Sequence, residues 1–578
     1  MSIYDKSSLV LIPSGTKAGK VYSQKPVSGD GDFTFTRSSA ATRVNADGNI
    51  EKETSNLLTY SNTFSSWTPA NAVLTDGQSG YDGTSDAWLL DKAASAGNIQ
   101  LNVSSSGVNT FSYYAKAGSV DWTRLLILGT TNASTYINLT NGAIGVGGGG
   151  FIDATATDVG SGWWRVSITH STAITQVRIY PAPADNDTSG SSGNIYIQDA
   201  QLNQGLIAQE VITTTTSAVY GGITDNTPRL DYTDSSCPAL LLEPQRTNVV
   251  TQSEYYDTGN GYFNSFALHD IVTNTTATKS PTGDYSASKI IPDTSNSSNH
   301  NIYGSNVTSG TKYAVSIFAK AAEYNYLLIR GLGLGGSGGA RFNISTGVVE
   351  GVAGYDSATI EDYGNGWYRC IAVGTATSTT GAYYHASPTA AFTSFQGNNS
   401  DGIYIYGAQI EAGSYATSYI PTYGSSVTRV GETNSVTGVS DIIGQEQGTF
   451  FVEWENIGDT SRPYLALSAG GSTANRVLIY ESSGVNAQIK SGGSVVFQST
   501  TASVSGTIKA AVAYNTNDFV FYVNGTQYGT DSSGATFSGT TLSEIEFDHA
   551  GLIGASIKQS LVFKTRLTNS ELADLTTL

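Results

Sequence analysis

Paired carboxylates and adjacent aromatics are the residues whose types and spacing suit chemistry on sugars. Glu453 and Glu455 flank Trp454, and Glu544 and Glu546 flank Ile545. Residues two apart on a strand share a face, so each pair sets two acids side by side, as glycoside hydrolysis by an acid and a nucleophile or base requires. Both pairs also alternate with apolar residues, as the solvated face of any half-buried strand does, and that reading is preferred to catalysis. Trp163-Trp164 and Trp367-Tyr368 offer ring area that can stack on a saccharide at low entropic cost. Neighbours on a strand point to opposite faces. Trp164 and Tyr368 alternate with Val166 and Cys370 and are assigned to the core, which leaves Trp163 and Trp367 as candidate ligand-binding residues. Tyr383 and His385, in Tyr383-Tyr-His385, are further candidates.

Other chemistries lack their signatures. His170, His269, His300, His385 and His549 are scattered, whereas zinc ligands come in close pairs. No Gly-x-Ser-x-Gly elbow or Gly-Lys-[Ser/Thr] phosphate loop occurs. The glycine runs at 145–150 and 331–339 follow strands without opening a helix, so they read as hairpin tips. Asp185-Asn-Asp187 and Asn398 to Asp401 crowd oxygen atoms as a calcium loop does, but Asn and Asp are also ordinary turn formers, and a plain loop is the preferred reading. No cofactor is expected, Ca2+ is the one metal these loops would suit, and no metal ligands are assigned. Cys237 and Cys370 lie far apart and are expected to be free, mostly buried thiols.

Charge narrows the partners. The net charge is −18, and 29 basic residues are spread thinly over 578, so no basic stripe exists to neutralise phosphates. Nucleic acid and membrane insertion are excluded as expectations, the latter because no run approaches 18 apolar residues. Met1-Ser-Ile-Tyr-Asp-Lys has neither the basic nor the apolar part of a secretory signal, which implies synthesis in a cytoplasm.

The elements that would position these residues are strands. With 65 Gly, 34 Tyr and only 13 % charged residues, the composition favours short strands joined by turns over long helices. Those strands belong to a unit that occurs twice. Phe111-Ser-Tyr-Tyr-Ala-Lys-Ala117, Gly160-Ser-Gly-Trp-Trp-Arg165 and Asn194-Ile-Tyr-Ile-Gln-Asp-Ala-Gln-Leu202 return as Val315-Ser-Ile-Phe-Ala-Lys-Ala321, Gly364-Asn-Gly-Trp-Tyr-Arg369 and Gly402-Ile-Tyr-Ile-Tyr-Gly-Ala-Gln-Ile410. The separation is 204 residues at the first two landmarks and 208 at the third. Asn56-Leu-Leu and Asn248-Val-Val open the copies in equivalent places. Each copy has strand-length runs every ~10 to 20 residues, which suits a sandwich, with a jelly roll as the expected form. In the first, Phe111, Tyr113 and Ala115 share one face, as do Trp164, Val166 and Ile168.

The expected organisation is a segment at 1–55, jelly-roll modules at 56–205 and 248–412, linkers at 206–247 and 413–447, and a third sandwich at 448–578. Phe33 and Phe35 alternate with Thr34 and Thr36 in the first segment, which is too short for its own core and leans on a neighbour or another chain. Two prolines around Ala239-Leu-Leu-Leu242 make the first linker an extended, packed clasp. Asn524-Gly525 marks a hairpin, and Thr568 or Asn569 caps a short terminal helix with Glu571 in its first turn.

Phe519 to Thr526 and Val562-Phe-Lys-Thr-Arg-Leu-Thr-Asn-Ser-Glu-Leu572 resemble the concanavalin-A-like, laminin-G-type sandwich. The repeats resemble jelly-roll carbohydrate-binding modules of phage structural proteins through Ala-Lys-Ala and Gly-x-Gly-Trp-[Trp/Tyr]-Arg. Asp32-Phe-Thr-Phe-Thr-Arg-Ser-Ser-Ala-Ala-Thr-Arg-Val-Asn-Ala-Asp-Gly-Asn-Ile50, with Pro228-Arg-Leu-Asp-Tyr232 and Leu241-Leu-Glu-Pro-Gln-Arg-Thr-Asn248, is similar to head-fibre and tail-fibre appendages of tailed phages of Bacteroidetes, including the crAss-like group. The resemblance implies a non-enzymatic protein of the virion surface, attached to other virion proteins through its N-terminal segment, binding host-surface or mucus glycans weakly and multivalently, and assembled as a homotrimer. The alternatives are a capsid decoration or cement protein and a glycan depolymerase.

Overall fold

Alternation builds the first sandwich. Phe111, Tyr113 and Ala115, with Val166 and Ile168 on the adjacent strand, enter one apolar layer with Leu125, Ile127, Val177 and Ile179 of the facing sheet. Each large side chain removed from water there contributes about 1.5–3 kcal/mol. The Tyr113 hydroxyl is satisfied within the core by Thr123 Oγ1 at 2.6 Å. One sheet runs Phe151–Gly160, Trp163–His170, Asn109–Ala117, Gly193–Gln204, Ala87–Lys92, Ala72–Gln78, and the facing sheet runs Ile144–Gly149, Ala133–Asn138, Trp122–Gly129, Ile174–Ala182, Asn98–Ser105, Thr68–Ala70.

This computed structural model describes residues 2–256, 269–334, 339–457, 464–547 and 554–578. His549 and the centre of the glycine run at 331–339 fall outside them. The second sandwich repeats the first. Its sheets run Ser357–Asp362, Trp367–Thr375, Lys312–Ala321, Ile403–Ala412, Ser288–Pro292, His269–Val272 and, facing them, Val348–Val352, Ala340–Asn343, Tyr326–Gly331, Ala382–Ser387, Asn301–Gly304. The order of equivalent strands is the same. Even the register shift recurs, between Ser112 and Tyr114 in one copy and between Ser316 and Phe318 in the other. The two copies touch: Val108, Leu206 and Tyr255 form one apolar cluster, and Asn274 Nδ2 donates to Asp153 Oδ2 at 2.8 Å.

The third sandwich draws on four separate stretches. Ala555–Phe563 pairs with Leu9–Leu11 and with Ala239–Leu242, while Glu544–Phe547 pairs with Thr433–Thr437, which in turn pairs with Phe33–Thr36. The segment 1–55 therefore leans on the C-terminal sandwich of its own chain, and sheet membership crosses the boundaries expected at 55, 206–247 and 413–447. Phe33 stacks on Phe547 at 5.0 Å between ring centres. Asn524 and Gly525 both have positive φ, 47° and 77°, as a type I′ hairpin turn needs. The helix Asn569–Thr576 is capped by Thr568, with Glu571 completing a capping box. No helix among the described residues is long and apolar enough to cross a membrane.

Where these stretches meet lies a buried ion network. Glu432 accepts from Arg37 Nη1 and Arg229 Nε, each at 2.7 Å, and Glu243 accepts from Arg229 Nη1 at 2.7 Å and pairs with Arg429 Nη1 at 2.8 Å. The three arginines and Glu432 are fully buried and Glu243 is 1 % exposed. Charges removed from water to this extent persist only when each is paired and hydrogen-bonded. Arg37, Arg229 and Glu243 come from the Asp32–Ile50, Pro228–Tyr232 and Leu241–Asn248 motifs, and Arg429 and Glu432 lie outside them, so all three motifs contribute to a structural junction.

Candidate functional site

Each copy has two outer sheet faces, and one of them is covered by a strap. The face bearing Trp163 is covered by the segment that leaves the module: Val211 packs on it, and Arg165 Nη2 donates to the Gln209 carbonyl. Trp163 is 1 % exposed. Trp367 is 2 % exposed beneath Ile50 and Tyr419, and its indole N–H donates to the Lys279 carbonyl at 2.8 Å. Strand parity directed both rings away from the sandwich core, but extended straps lie over that side, so neither ring presents a face to a ligand. Trp164 and Tyr368 reach the rim of the core, resting on Gly142 and Gly347, where a Cβ would come within 2.3 and 2.6 Å of their rings.

The strap over the second copy includes residues before the first. Lys52 Nζ lies 2.9 Å from both oxygens of buried Glu254 and 3.2 Å from the Tyr406 hydroxyl. Burial opposes its charge, and Glu254, Tyr423 and Asp284 together outweigh burial and raise its pKa.

The more open face is the outer side of the other sheet, where Arg124, Arg178, Arg330 and Tyr383 are half-buried while Leu328, His385, Ser387 and Asn301 of the second copy are buried. In the first copy Arg124 lies opposite Tyr136 and Tyr180, Leu126 opposite Ser134 and Arg178, Arg178 opposite Gln100, and Gln176 opposite Leu128 and Asn102. In the second, Tyr326 lies opposite Asn343 and Ser387, Leu328 opposite Arg341 and His385, His385 opposite Asn301, and Tyr383 opposite Arg330 and Tyr303. Aligned on register, only Leu126 and Leu328 coincide. None of these positions carries Asp or Glu, in a chain with 47 of them.

On the covered side, several strap contacts recur in both copies. Ile212 N–H donates to Gln201 Oε1 at 2.8 Å, and Ile420 N–H to Gln409 Oε1 at 2.7 Å. Thr214 N–H donates to Ser61 Oγ, and Thr422 N–H to Ser253 Oγ, both at 2.8 Å. Arg165 and Arg369 stand over Tyr114 and Phe318 at 5.5 and 5.4 Å.

Of the residues singled out in the sequence, Tyr383 and His385 lie on an open-side face. Tyr383 is half-buried and stacks on Tyr303 at 4.5 Å. His385 is 3 % exposed, with Nδ1 3.3 Å from the Ser298 carbonyl, and burial, aided by Arg330, pushes its pKa down to about 3, so it is neutral. Arg124, Arg178, Arg330 and Tyr303 were not singled out, because single arginines on a strand have no motif. In Arg124-Leu-Leu-Ile-Leu128 four consecutive apolar residues leave the arginine without a pattern that marks its face.

The carboxylate pairs are tied down. Gln559 Nε2 donates to Glu453 Oε2 at 2.6 Å, Lys558 pairs with Glu455 at 2.8 Å, and Trp454 between them is core. Glu453 borders a groove of about 360 Å3 with Asp234 and Cys237. Glu546 is 5 % exposed within a central strand. The oxygen-rich loops hold backbone N–H groups: Asp185 Oδ1 accepts from Val146 N–H of a neighbouring strand, and Asn398 Oδ1 from the Ser400 and Asp401 N–H groups of its own loop. Among the described residues no three metal-ligating side chains converge. Cys370 is buried as expected, whereas Cys237 is exposed, in the turn before Pro238.

No family model and no curated protein matches the chain. Among solved structures, the Ruminococcus gnavus IT-sialidase CBM40 bound to α2,3-sialyllactose aligns at 16 % identity over 25 % of this chain and 91 % of its own, with a TM-score of 0.22. The tandem CBM22-1-CBM22-2 domains of Paenibacillus barcinonensis Xyn10C align at 12 % identity over 62 % and 97 %, with a TM-score of 0.18. The LG1-3 region of the laminin α2 chain aligns at 9 % identity over 81 % and 95 %, with a TM-score of 0.12. The chain is all-β, a succession of β-sandwiches of which two share one topology.

Proposed function

We propose that this chain is a non-enzymatic saccharide-binding appendage of a virion surface, made in the host cytoplasm and displayed in several copies. One observation supports it above the rest. Two sandwiches keep the same clasps, bulge and strap contacts, while their open sheet faces share only a central leucine and are lined with tyrosine, arginine and amide side chains. A frame held constant beneath two unlike faces is what two different recognition surfaces on one scaffold require. Weak single sites then gain strength from simultaneous engagement, by about 100-fold or more when geometry allows. The virion setting, the homotrimer and attachment to other virion proteins come from the resemblance of the Asp32 to Ile50, Pro228 to Tyr232 and Leu241 to Asn248 motifs to phage fibre proteins.

Glycan-array binding of the full chain tests this reading. Hits that weaken in Tyr383→Ala or Arg124→Gln support it. An array with no hits removes saccharide binding and leaves a decoration or cement role.

A further inference from the structure

Arg124 and Arg178 stand side by side on the open face of the first module, and neither makes an ion pair among the described residues. Arg37, Arg43, Arg229, Arg246, Arg429 and Arg566 are each matched to a carboxylate, while Arg165, Arg369 and Arg476 lack one among the described residues and donate through Nη to oxygen atoms within the fold. Arg124 is held between the rings of Tyr136 and Tyr180, 5.5 and 5.3 Å from their centres. Those rings are 5 % and 4 % exposed, so they fix the guanidinium and do not themselves offer a stacking face. Its polar contacts are few: Nη2 is 3.4 Å from Ser134 Oγ, and the buried Nε has no partner. Arg178 is oriented by Gln176 Oε1, which accepts from its Nε at 2.5 Å, and its Nη1 lies 3.4 Å from the Tyr180 hydroxyl. Across the same rows stand Gln100, Asn102 and Ser134, donors and acceptors suited to hydroxyl groups.

From this we infer that the first module's open face binds a carboxylate-bearing saccharide, with Arg178 and Arg124 taking the carboxylate and the amides taking ring hydroxyls. The assignment rests on the saccharide-binding reading and narrows it. A planar guanidinium matches a carboxylate in a two-point geometry, and one already fixed by aromatic packing loses little freedom on binding. The rows named carry no Asp or Glu, and Asp185 and Asp187 in the loop at the edge of the face accept from Val146 N–H and Ser189 N–H. The second module's face carries Arg330 and Arg341 at different register positions, so it does not reproduce this pair.

Calorimetric titration of the full chain with trigalacturonate and with α2,3-sialyllactose, beside the methyl ester of the former and lactose, tests the assignment and separates a uronic from a sialic acid source. The expected result is binding of at least one acidic probe, with its neutral counterpart and the Arg178→Gln variant each weaker by about ten-fold or more. Arg178→Lys, which keeps charge but not the fork, should fall between. Because Arg124→Gln also loosens two tyrosines, Arg178 is the deciding position, with an unchanged melting temperature showing that the variant is folded. Equal affinity for acidic and neutral probes, or full affinity in folded Arg178→Gln, overturns the assignment while leaving saccharide binding in place. Binding of none of the four probes, together with an array empty of hits, overturns both.

Discussion

Asn56 and Asn248 occupy the same place in two sandwiches. The Nδ2 of each donates to an alanine carbonyl, of Ala200 at 3.0 Å or Ala408 at 3.2 Å, and to an isoleucine carbonyl, of Ile212 at 2.8 Å or Ile420 at 2.9 Å. The Oδ1 of each accepts two backbone N–H groups, from Leu58 and Leu202 or from Val250 and Ile410. One buried amide thus joins the strand that enters a module, the strand that ends it and the strap that follows. Replacing either by alanine strands four buried backbone groups, each worth about 1–3 kcal/mol if left without water. Asn56→Ala and Asn248→Ala should therefore each lose about 3 kcal/mol or more of stability in denaturant titration. A silent variant at either position would show that the clasp is replaceable.

The ion network predicts a second large loss. Glu432→Gln leaves Arg37 and Arg229 buried with their shared partner neutralised, and loss of one member of such a group costs about 3–5 kcal/mol. Unfolding of the third sandwich, followed through Trp454 fluorescence, should shift accordingly, and an unshifted midpoint would mean that water reaches the junction.

Acid should act through the same residues. Burial raises the Glu243 pKa, but Arg429 and Arg229 outweigh it and hold the carboxyl well below the usual carboxylate range. A depressed folded pKa contributes stability that is present above the unfolded value of about 4.3 and is lost as pH falls through the folded one. The wild type should therefore lose stability progressively on acidification, and Glu243→Gln, less stable at neutral pH, should show a shallower loss over that acid range. Melting temperature against pH gives the comparison, and parallel profiles would remove Glu243 from the account.

Burial and recognition should separate by variant. Trp367→Ala empties a site packed by Ile50, Phe318 and Tyr419 and should cost about 3–5 kcal/mol. Tyr383→Ala, on the open face, should cost less and instead weaken binding on a glycan array. If the stability losses were reversed, the two sheet faces would be wrongly ranked.

Catalysis makes a further distinction. On the proposed non-enzymatic reading, the protein should leave the chain length of a bound polysaccharide unchanged, whether wild type or Glu455→Gln, in size-exclusion chromatography. Shortening that disappears in the variant would instead make Glu455 catalytic and the depolymerase reading the correct one.

The sequence by itself determined the local and repeated features. Alternation at Phe111, Tyr113 and Ala115 specified a strand and its buried face, Asn524-Gly525 its hairpin, Thr568 and Glu571 the helix cap, and the recurring Gly-x-Gly-Trp a duplicated unit, because each depends on contacts or torsions a few residues apart. Tertiary structure alone decided what lies over a face. Parity sent Trp163 and Trp367 out of their sandwiches, but whether an outward ring meets water depends on straps from Val211 and from Ile50, and nothing in a two-residue period encodes a cover arriving from elsewhere in the chain. The same holds for the third sandwich, whose sheets recruit Leu9–Leu11, Phe33–Thr36 and Ala239–Leu242 across hundreds of residues. Sheet edges accept any strand of matching register and apolar face, so the partner is chosen by the assembled core and the buried charges of Arg37, Arg229 and Glu432, not by sequence neighbours.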